Sequence, residues 1–197
     1  MKRRVAFFDF DGTITTKDTF LELIKFQKGK AIYFLGFFLC SPVILGYKLR
    51  LLSGHKTKSL VFSFFFKNSS FSEFQAKCDQ FAKLVLPRLI RPKALNEIDK
   101  LNSLGAEIVI VTASSPAWIS PWSDPLHITV IGTNFAKRDG KLTGSIEGRN
   151  CNAEEKVNRI KEKFDLLQFN EIYVYGDSSK DQPMMSLSTA RFINPFR

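Results

Sequence analysis

Three observations predict an α/β protein, a doubly wound parallel sheet with a helical segment inserted after its first strand. Four short runs rich in β-branched and aromatic residues, at 5–8, 108–111, 128–131 and 172–175, are separated by helix-compatible stretches. Runs that are apolar on both faces suit strands of a buried parallel sheet, and alternating β and α elements build one. Carboxylate and hydroxyl residues follow the ends of these runs, where open α/β sheets bind their ligands. Finally, residues 15–95 hold 12 of the 20 Phe and 14 Lys plus Arg against 4 Asp plus Glu, while the remainder is neutral with 15 of each sign. A neutral body therefore carries a basic, Phe-rich insert. This is the composition of a Rossmann-like core interrupted after its first strand by an insert of another character.

The length of 197 residues fits one core with a sizeable insertion and is enough to fold without metal or disulfide staples. With 44% hydrophobic and 24% charged residues, the composition excludes disordered, collagen-like and polytopic membrane chains. There is no internal repeat. Cys40, Cys78 and Cys151 are odd in number and lack CxxC spacing, so neither a disulfide framework nor a zinc site is expected. A reducing, cytoplasmic compartment follows as the expectation. The basic start of the chain meets Asp9 after four apolar residues, fewer than the roughly 7–15 of a signal sequence, so no export signal is expected.

In chain order, strand 5–8 opens the core and residues 15–94 form the insert. A helix at 93–104 is closed by Gly105 and leads into strand 108–111. Strand 128–131 follows. Residues 135–146 then alternate apolar and polar around Asp139-Gly140, a hairpin signal. A helix at 153–164 is opened by Asn152, with Glu154 and Glu155 in its first turn complementing the helix dipole. Strand 172–175 comes next, and 190–193 supplies a fifth. The core thus takes residues 1–14 and 95–197.

Strand 5–8 ends in Asp9-Phe10-Asp11-Gly12-Thr13 and strand 108–111 in Thr112-Ala113-Ser114-Ser115. Strand 172–175 ends in Gly176-Asp177-Ser178-Ser179-Lys180-Asp181, and Lys156 stands on the helix after Asn152. Four carboxylates, a hydroxyl and a lysine make a hard-cation site beside a phosphate site. Two carboxylates at i and i+2 can divide the labour, one attacking phosphorus and one serving the leaving oxygen with a proton. Clustered carboxylates repel one another and call for a divalent cation, for which oxygen ligands favour Mg²⁺. Lys156 and Thr112 would hold the remaining phosphate oxygens. Each piece alone has a plainer explanation: Asp-x-Asp-Gly as a turn, a strand-end Thr as a helix cap, a helix Lys as a solvated charge. A calcium loop fails, because Gly12 is fourth where the EF-hand glycine is sixth. The joint order after apolar strands is what chance does not supply.

In that order the four segments resemble the motifs of the haloacid dehalogenase superfamily, in its phosphoserine-phosphatase-like subfamily IB. The matching segments are Asp9 to Thr13, Val111-Thr112-Ala113-Ser114, Lys156 within Cys151-Asn152-Ala153-Glu154-Glu155-Lys156-Val157, and Gly176-Asp177 through Asp181. The resemblance implies Asp9 as a nucleophile forming an aspartyl-phosphate, with Asp11 as general acid and then base. It implies phosphate binding by Thr112 and Lys156, and Mg²⁺ held by Asp9, the Phe10 carbonyl and Asp177 with Asp181 in support. Lys180 stands where many relatives carry Asn; beside the phosphate it would favour a more anionic substrate, but it is expected to face solvent. Receiver domains share an acid pair, a Thr and a Lys, but in a different order. A non-catalytic lipid- or protein-binding module on this fold is the alternative of another class, and the complete residue set argues against it.

Residues 15–94 stand where the family places its cap, which excludes water and contacts the substrate beyond its phosphate. Family members acting on phosphoserine carry a cap Glu and a cap Arg. The nearest matches here are the shorter Asp18 and the candidate Arg50, so serine specificity is not carried over. Residues 31–47 contain no charge. A 17-residue helix would span ~25 Å, short of the ~30 Å hydrocarbon core, and a single crossing would strand Asp9 and Asp177 on opposite sides of a bilayer. Ser41-Pro42 is a natural break. Two helices at 31–40 and 42–52 forming a hairpin are therefore expected, then a loop at 53–55 and an apolar run at 60–66.

Two substrate classes remain: a small soluble phosphomonoester, or a phospholipid head-group phosphate such as phosphatidylglycerophosphate. The second would be reached by peripheral contact with an anionic membrane on its cytoplasmic face. The cap is similar in apolar character to those of members acting on that lipid. Nucleic acid is not expected, because the Phe residues are not interleaved with Arg as in a stacking platform. His55 is expected in solvent, His127 lacks a partner motif, and Trp118 and Trp122 are expected to pack the core or cap hinge.

Overall fold

The structure, a computed structural model, describes residues 2–197. Strand β1 (Arg4–Phe8) leads through a tight turn into four helices, α1 (Thr19–Leu39), α2 (Ser41–Lys48), α3 (Gly54–Phe66) and α4 (Phe71–Leu84). Next come α5 (Pro92–Ser103), β2 (Ala106–Val111), α6 (Pro116–Ser123), β3 (Thr129–Ile131) and the pair β4 (Asn134–Arg138) and β5 (Lys141–Glu147). The chain ends with α7 (Glu154–Lys163), β6 (Glu171–Gly176), α8 (Gln182–Met185) and β7 (Ala190–Ile193).

Five strands form one parallel sheet in the order β3-β2-β1-β6-β7, with Phe8 of the central strand opposite Ile110 on one side and Tyr175 on the other. The fold is the predicted Rossmann-like α/β class. Side chains alternate across β1: Val5 and Phe7 pack with Ile160 and Met184 on one face, while Ala6 and Phe8 join the larger cluster on the other. The order reverses at β1, so the crevice of a doubly wound sheet lies between the carboxyl ends of β1, β2 and β6.

The helical insert hangs from a two-stranded neck. Thr15 bridges Ile90, Thr16 N donates to Leu89 O, and Arg91 N donates to Ile14 O. Its interior is continuous with the sheet's: Phe62 of α3 stacks on Phe135 of β4 with ring centroids 3.5 Å apart, and Phe20 stacks on the fully buried Trp118. The β4–β5 hairpin, predicted around Asp139-Gly140, packs against α3 of the insert. Asn68 N donates to Leu142 O, Phe71 N donates to Gly140 O, and Ile146 N donates to the Ser59 hydroxyl.

Several expectations for residues 15–94 need correction. The predicted 31–40 helix is present as the second part of α1, set off from residues 19–28 by a kink at Gly29, whose φ of +81 and ψ of 162 are not helical. The break at Ser41-Pro42 is present but does not fold the chain back. Cys40 stays in the right-handed helical region and Pro42 enters the first turn of α2, so the two helices bend by 54° and form no hairpin. α2 ends at Lys48, before the expected 52. Gly54 and His55, expected in a loop, form the first turn of α3, whose Ser53 side chain accepts from Lys56 N; His55 is exposed, as expected. Among the described residues no single helix is long and apolar enough to cross a membrane. In α7 the expected Asn152 cap is absent, and the helix starts from Ala153 at φ +49.

Candidate active site

Asp9 continues β1 in extended conformation, its N–H donating to Tyr175 O of β6 at 2.9 Å. The chain then coils tightly through Phe10–Ile14. This turn requires Gly12, which has φ +88 and lies so close to Asp177 that a Cβ there would collide with the carboxylate. Opposite it, Asp177 and Asp181 follow β6. Gly176 leaves the room that the Asp181 side chain fills, and Asp181 Oδ2 accepts from Asp177 N, Ser178 N and the Ser178 hydroxyl at 3.2, 3.1 and 2.9 Å.

At the centre lies the buried amine of Lys156, 2.5 Å from Asp9 Oδ1 and 2.7 Å from Asp181 Oδ1. Burial alone would lower the Lys156 pKa, but the two carboxylates overcome it and hold the amine protonated. Burial would likewise raise Asp181, yet Lys156 and the Ser178 hydrogen bonds hold it below the usual carboxylate range. Asp9 is the strained member. Burial pushes it up to about 7, with Asp181 and Asp11 adding repulsion against the pull of Lys156. Asp177 is raised by burial and by Asp181, with Arg197 opposing through a 2.8 Å ion pair.

Asp11 is oriented rather than paired with a cation. Its Oδ1 accepts from Thr19 N at 2.7 Å and its Oδ2 from the Ser114 hydroxyl at 2.5 Å. Thr19 also donates to Ser114 and accepts from the Trp118 indole at 3.1 Å, so the first helix of the insert and the residues after β2 jointly aim this carboxylate. Both tryptophans pack as expected, Trp122 beside Phe10.

Of the residues singled out, Asp9, Asp11, Thr112, Lys156, Asp177 and Asp181 line one cavity of about 450 Å³. Phe10 is buried at its edge, with its carbonyl accepting from Thr15 N at 3.0 Å. Asp18 also lines the cavity while capping α1 through Leu21 N; desolvation at the cavity mouth and the nearby Asp11 push it up to about 6. Arg50 is a correction. Because α2 ends early, Arg50 (φ +60) lies in an exposed turn and does not reach the cavity. The cavity's cation from the insert is instead Lys58 of α3, which donates to Ala113 O at 2.6 Å, and whose pKa burial lowers. No local motif marks Lys58; only the packing of α3 over the strand ends does. Lys180 is exposed as expected, yet its amine lies 3.3 Å from the Tyr47 hydroxyl across the cavity mouth.

Oxygen atoms of Asp9, Asp177 and Asp181 lie within 4.8 Å of one another. A parallel sheet with three converging carboxylates, a buried lysine and a hydroxyl at its strand ends can hold a divalent cation and an anionic group side by side. The match to known proteins agrees: the model of the haloacid dehalogenase-like hydrolases covers residues 6–186, and the chain belongs to that family. It is 32% identical over 192 residues to protein CicA of Caulobacter vibrioides, across 96% of this chain and 85% of the relative. A protein of unknown function from Bordetella pertussis Tohama I has a similar structure, with TM-score 0.83 at 23% identity, covering 97% of this chain and 89% of that one. A phosphoserine phosphatase solved as a phospho-aspartyl intermediate analogue superposes with TM-score 0.69 at 16% identity, covering 97% and 86% of the two chains. These two likenesses carry the fold.

Proposed function

We propose that this hydrolase is a Mg²⁺-dependent phosphomonoesterase working through an aspartyl-phosphate on Asp9, with residues 15–94 as the cap over its site. The observation that carries the reading is Asp9 itself. It is a buried carboxylate 2.5 Å from a fixed cation and beside an oriented second carboxylate, which is the arrangement a positioned nucleophile and its acid partner need. The donor set fits a hard divalent cation: oxygens of three carboxylates converge, and the absent Cβ of Gly12 is what lets the Asp177 carboxylate approach. Asp9, Asp177 and the Phe10 carbonyl would hold it, with Asp181 in support. When bound, such an ion offsets the negative charge that these carboxylates and a phosphate bring together.

An Asp9 oxygen attacks phosphorus, the phosphorus–oxygen bond to the leaving alcohol breaks, and Asp11 gives that oxygen its proton. Asp11 then takes a proton from water, the resulting hydroxide attacks the acyl phosphate, and inorganic phosphate leaves with Asp9 restored. Lys156 and Thr112 hold phosphate oxygens throughout. Phosphate release from a panel of soluble phosphomonoesters with Mg²⁺, using Asp9→Asn as the blank, tests this. Quenched turnover should show one phosphoryl group on Asp9, and release that survives in Asp9→Asn sinks the proposal.

A second reading of the substrate, a phospholipid head-group phosphate, is favoured by the cavity's far wall. Phe37, Ile44 and Tyr47 line the side opposite the carboxylates, an apolar surface with no use for a small polar alcohol. Turnover of phosphatidylglycerophosphate in mixed micelles far above that of phosphoserine would support it, and the reverse would remove it.

A further inference from the structure

Residues 31–39 of α1 carry no charge and are apolar around the helix's whole circumference, a pattern that belongs in an interior. One side is satisfied. Gly36 is buried against α3, where a Cβ would overlap the Phe65 ring, and Tyr33 and Phe37 pack on the core cluster. The opposite side is uncovered. Phe34, Leu35, Phe38 and Leu39 on α1, with Leu49 and Leu51 after α2, are 55–77% exposed. Large side chains at such exposure together exceed the roughly 300–600 Å² of the largest apolar patch on an ordinary monomer.

Charge identifies what covers this face. Residues 23–72 contain eight Lys and Arg and not one Asp or Glu. Lys30, Lys48, Arg50 and Lys56 are exposed around the apolar side chains, and among the described residues none of them makes an ion pair. Two copies of such a face would bring eight unpaired cations together, so self-association is disfavoured. An anionic, apolar-cored partner answers both features at once. We propose that the outer face of α1, α2 and the 49–52 turn docks peripherally on an anionic lipid bilayer, with Phe34 and Phe38 entering the head-group boundary and Lys48 and Arg50 meeting lipid phosphates. The inner faces of the same helices line the cavity through Phe37, Ile44 and Tyr47, so docking sets the cavity beside the lipid surface. This partner goes beyond the phosphatase reading and does not depend on it.

The test is flotation of the full chain with vesicles of phosphatidylcholine alone or containing a third phosphatidylglycerol, at low and high salt. The wild type should float with the anionic vesicles and stay behind with phosphatidylcholine. Lys48→Ala with Arg50→Ala should weaken partition roughly 30-fold, with about half of the salt dependence lost. Phe34→Ser with Phe38→Ser should weaken it at least about tenfold. Both double variants should hydrolyse a soluble phosphomonoester such as p-nitrophenyl phosphate at the wild-type rate, which shows that they fold. Equal flotation of wild type and both variants, or no flotation of the wild type, overturns the proposal. So does a wild-type dimer in light scattering that Phe34→Ser with Phe38→Ser converts to monomer, because that face would then be a contact between copies. Wild type that floats but does not hydrolyse p-nitrophenyl phosphate would count against the phosphatase reading alone.

Discussion

On the sheet side of the cavity the buried charges answer one another: Lys156 lies between Asp9 and Asp181, and Asp181 takes three further hydrogen bonds from the chain after β6. On the helical side, Lys30, Lys48, Arg50 and Lys56 face solvent unpaired, and α1 leaves a row of Phe and Leu uncovered. The difference separates two requirements. Groups that act on a phosphorus atom must be held to a few tenths of an ångström, so they are buried, paired and carried on strand ends. Groups that meet a substrate's remainder or a partner can stay exposed and unsatisfied until it arrives.

The sharpest way to break this contrast is at its centre. Lys156→Met leaves Asp9 and Asp181 buried without their cation. Phosphate release should vanish for every substrate, and urea denaturation at pH 7 should show a loss of roughly 3–5 kcal/mol. If the protein keeps both its stability and its turnover, the ion-paired centre is not what organises the sheet side.

Gly36→Ala strikes the insert instead. The new methyl overlaps the Phe65 and Phe64 rings, so about 1–3 kcal/mol of stability should be lost in thermal unfolding, with the turnover number on a small phosphomonoester retained. A loss of turnover as large as that of Lys156→Met would show that the two sides are not separable.

Tyr47→Ala should raise KM about tenfold for a phosphomonoester with an apolar tail and leave kcat on p-nitrophenyl phosphate unchanged. Equal effects on both substrates would place Tyr47 with the chemistry rather than with recognition.

The smallest effect is a pH dependence. The Asp18 carboxyl is pushed from 3.8 up to about 6, so the folded state binds its proton more tightly than the unfolded chain does. Its contribution to stability is complete below pH 3.8 and is lost as the pH rises through 6. Asn keeps the α1 cap, so Asp18→Asn should flatten the fall in melting temperature between pH 4 and 7. An unchanged slope would assign that dependence to other carboxylates.

The strand ends were legible because their evidence is local. Asp9 and Asp11 share one turn, Asp177 and Asp181 another, and an apolar run before each marks where the chain leaves the sheet. Lys156 was legible only by its order among these segments. Lys58, Thr19 and the Trp118 indole were not, because each reaches the site through a neighbour distant in sequence. Arg50 was a candidate through the resemblance and failed because α2 ends at Lys48 and leaves it in an exposed turn.

The amino-acid sequence by itself determined the parallel sheet and its five strands, because hydrophobic periodicity acts over a few residues. The 54° bend that replaced a hairpin, the choice of Lys58 over Arg50 and the face of α1 that remains uncovered were decided only in three dimensions. An apolar helix carries no mark of which side its neighbours will cover. That depends on where Gly36 lets α3 approach, and on the space left once the sheet and the insert share one core.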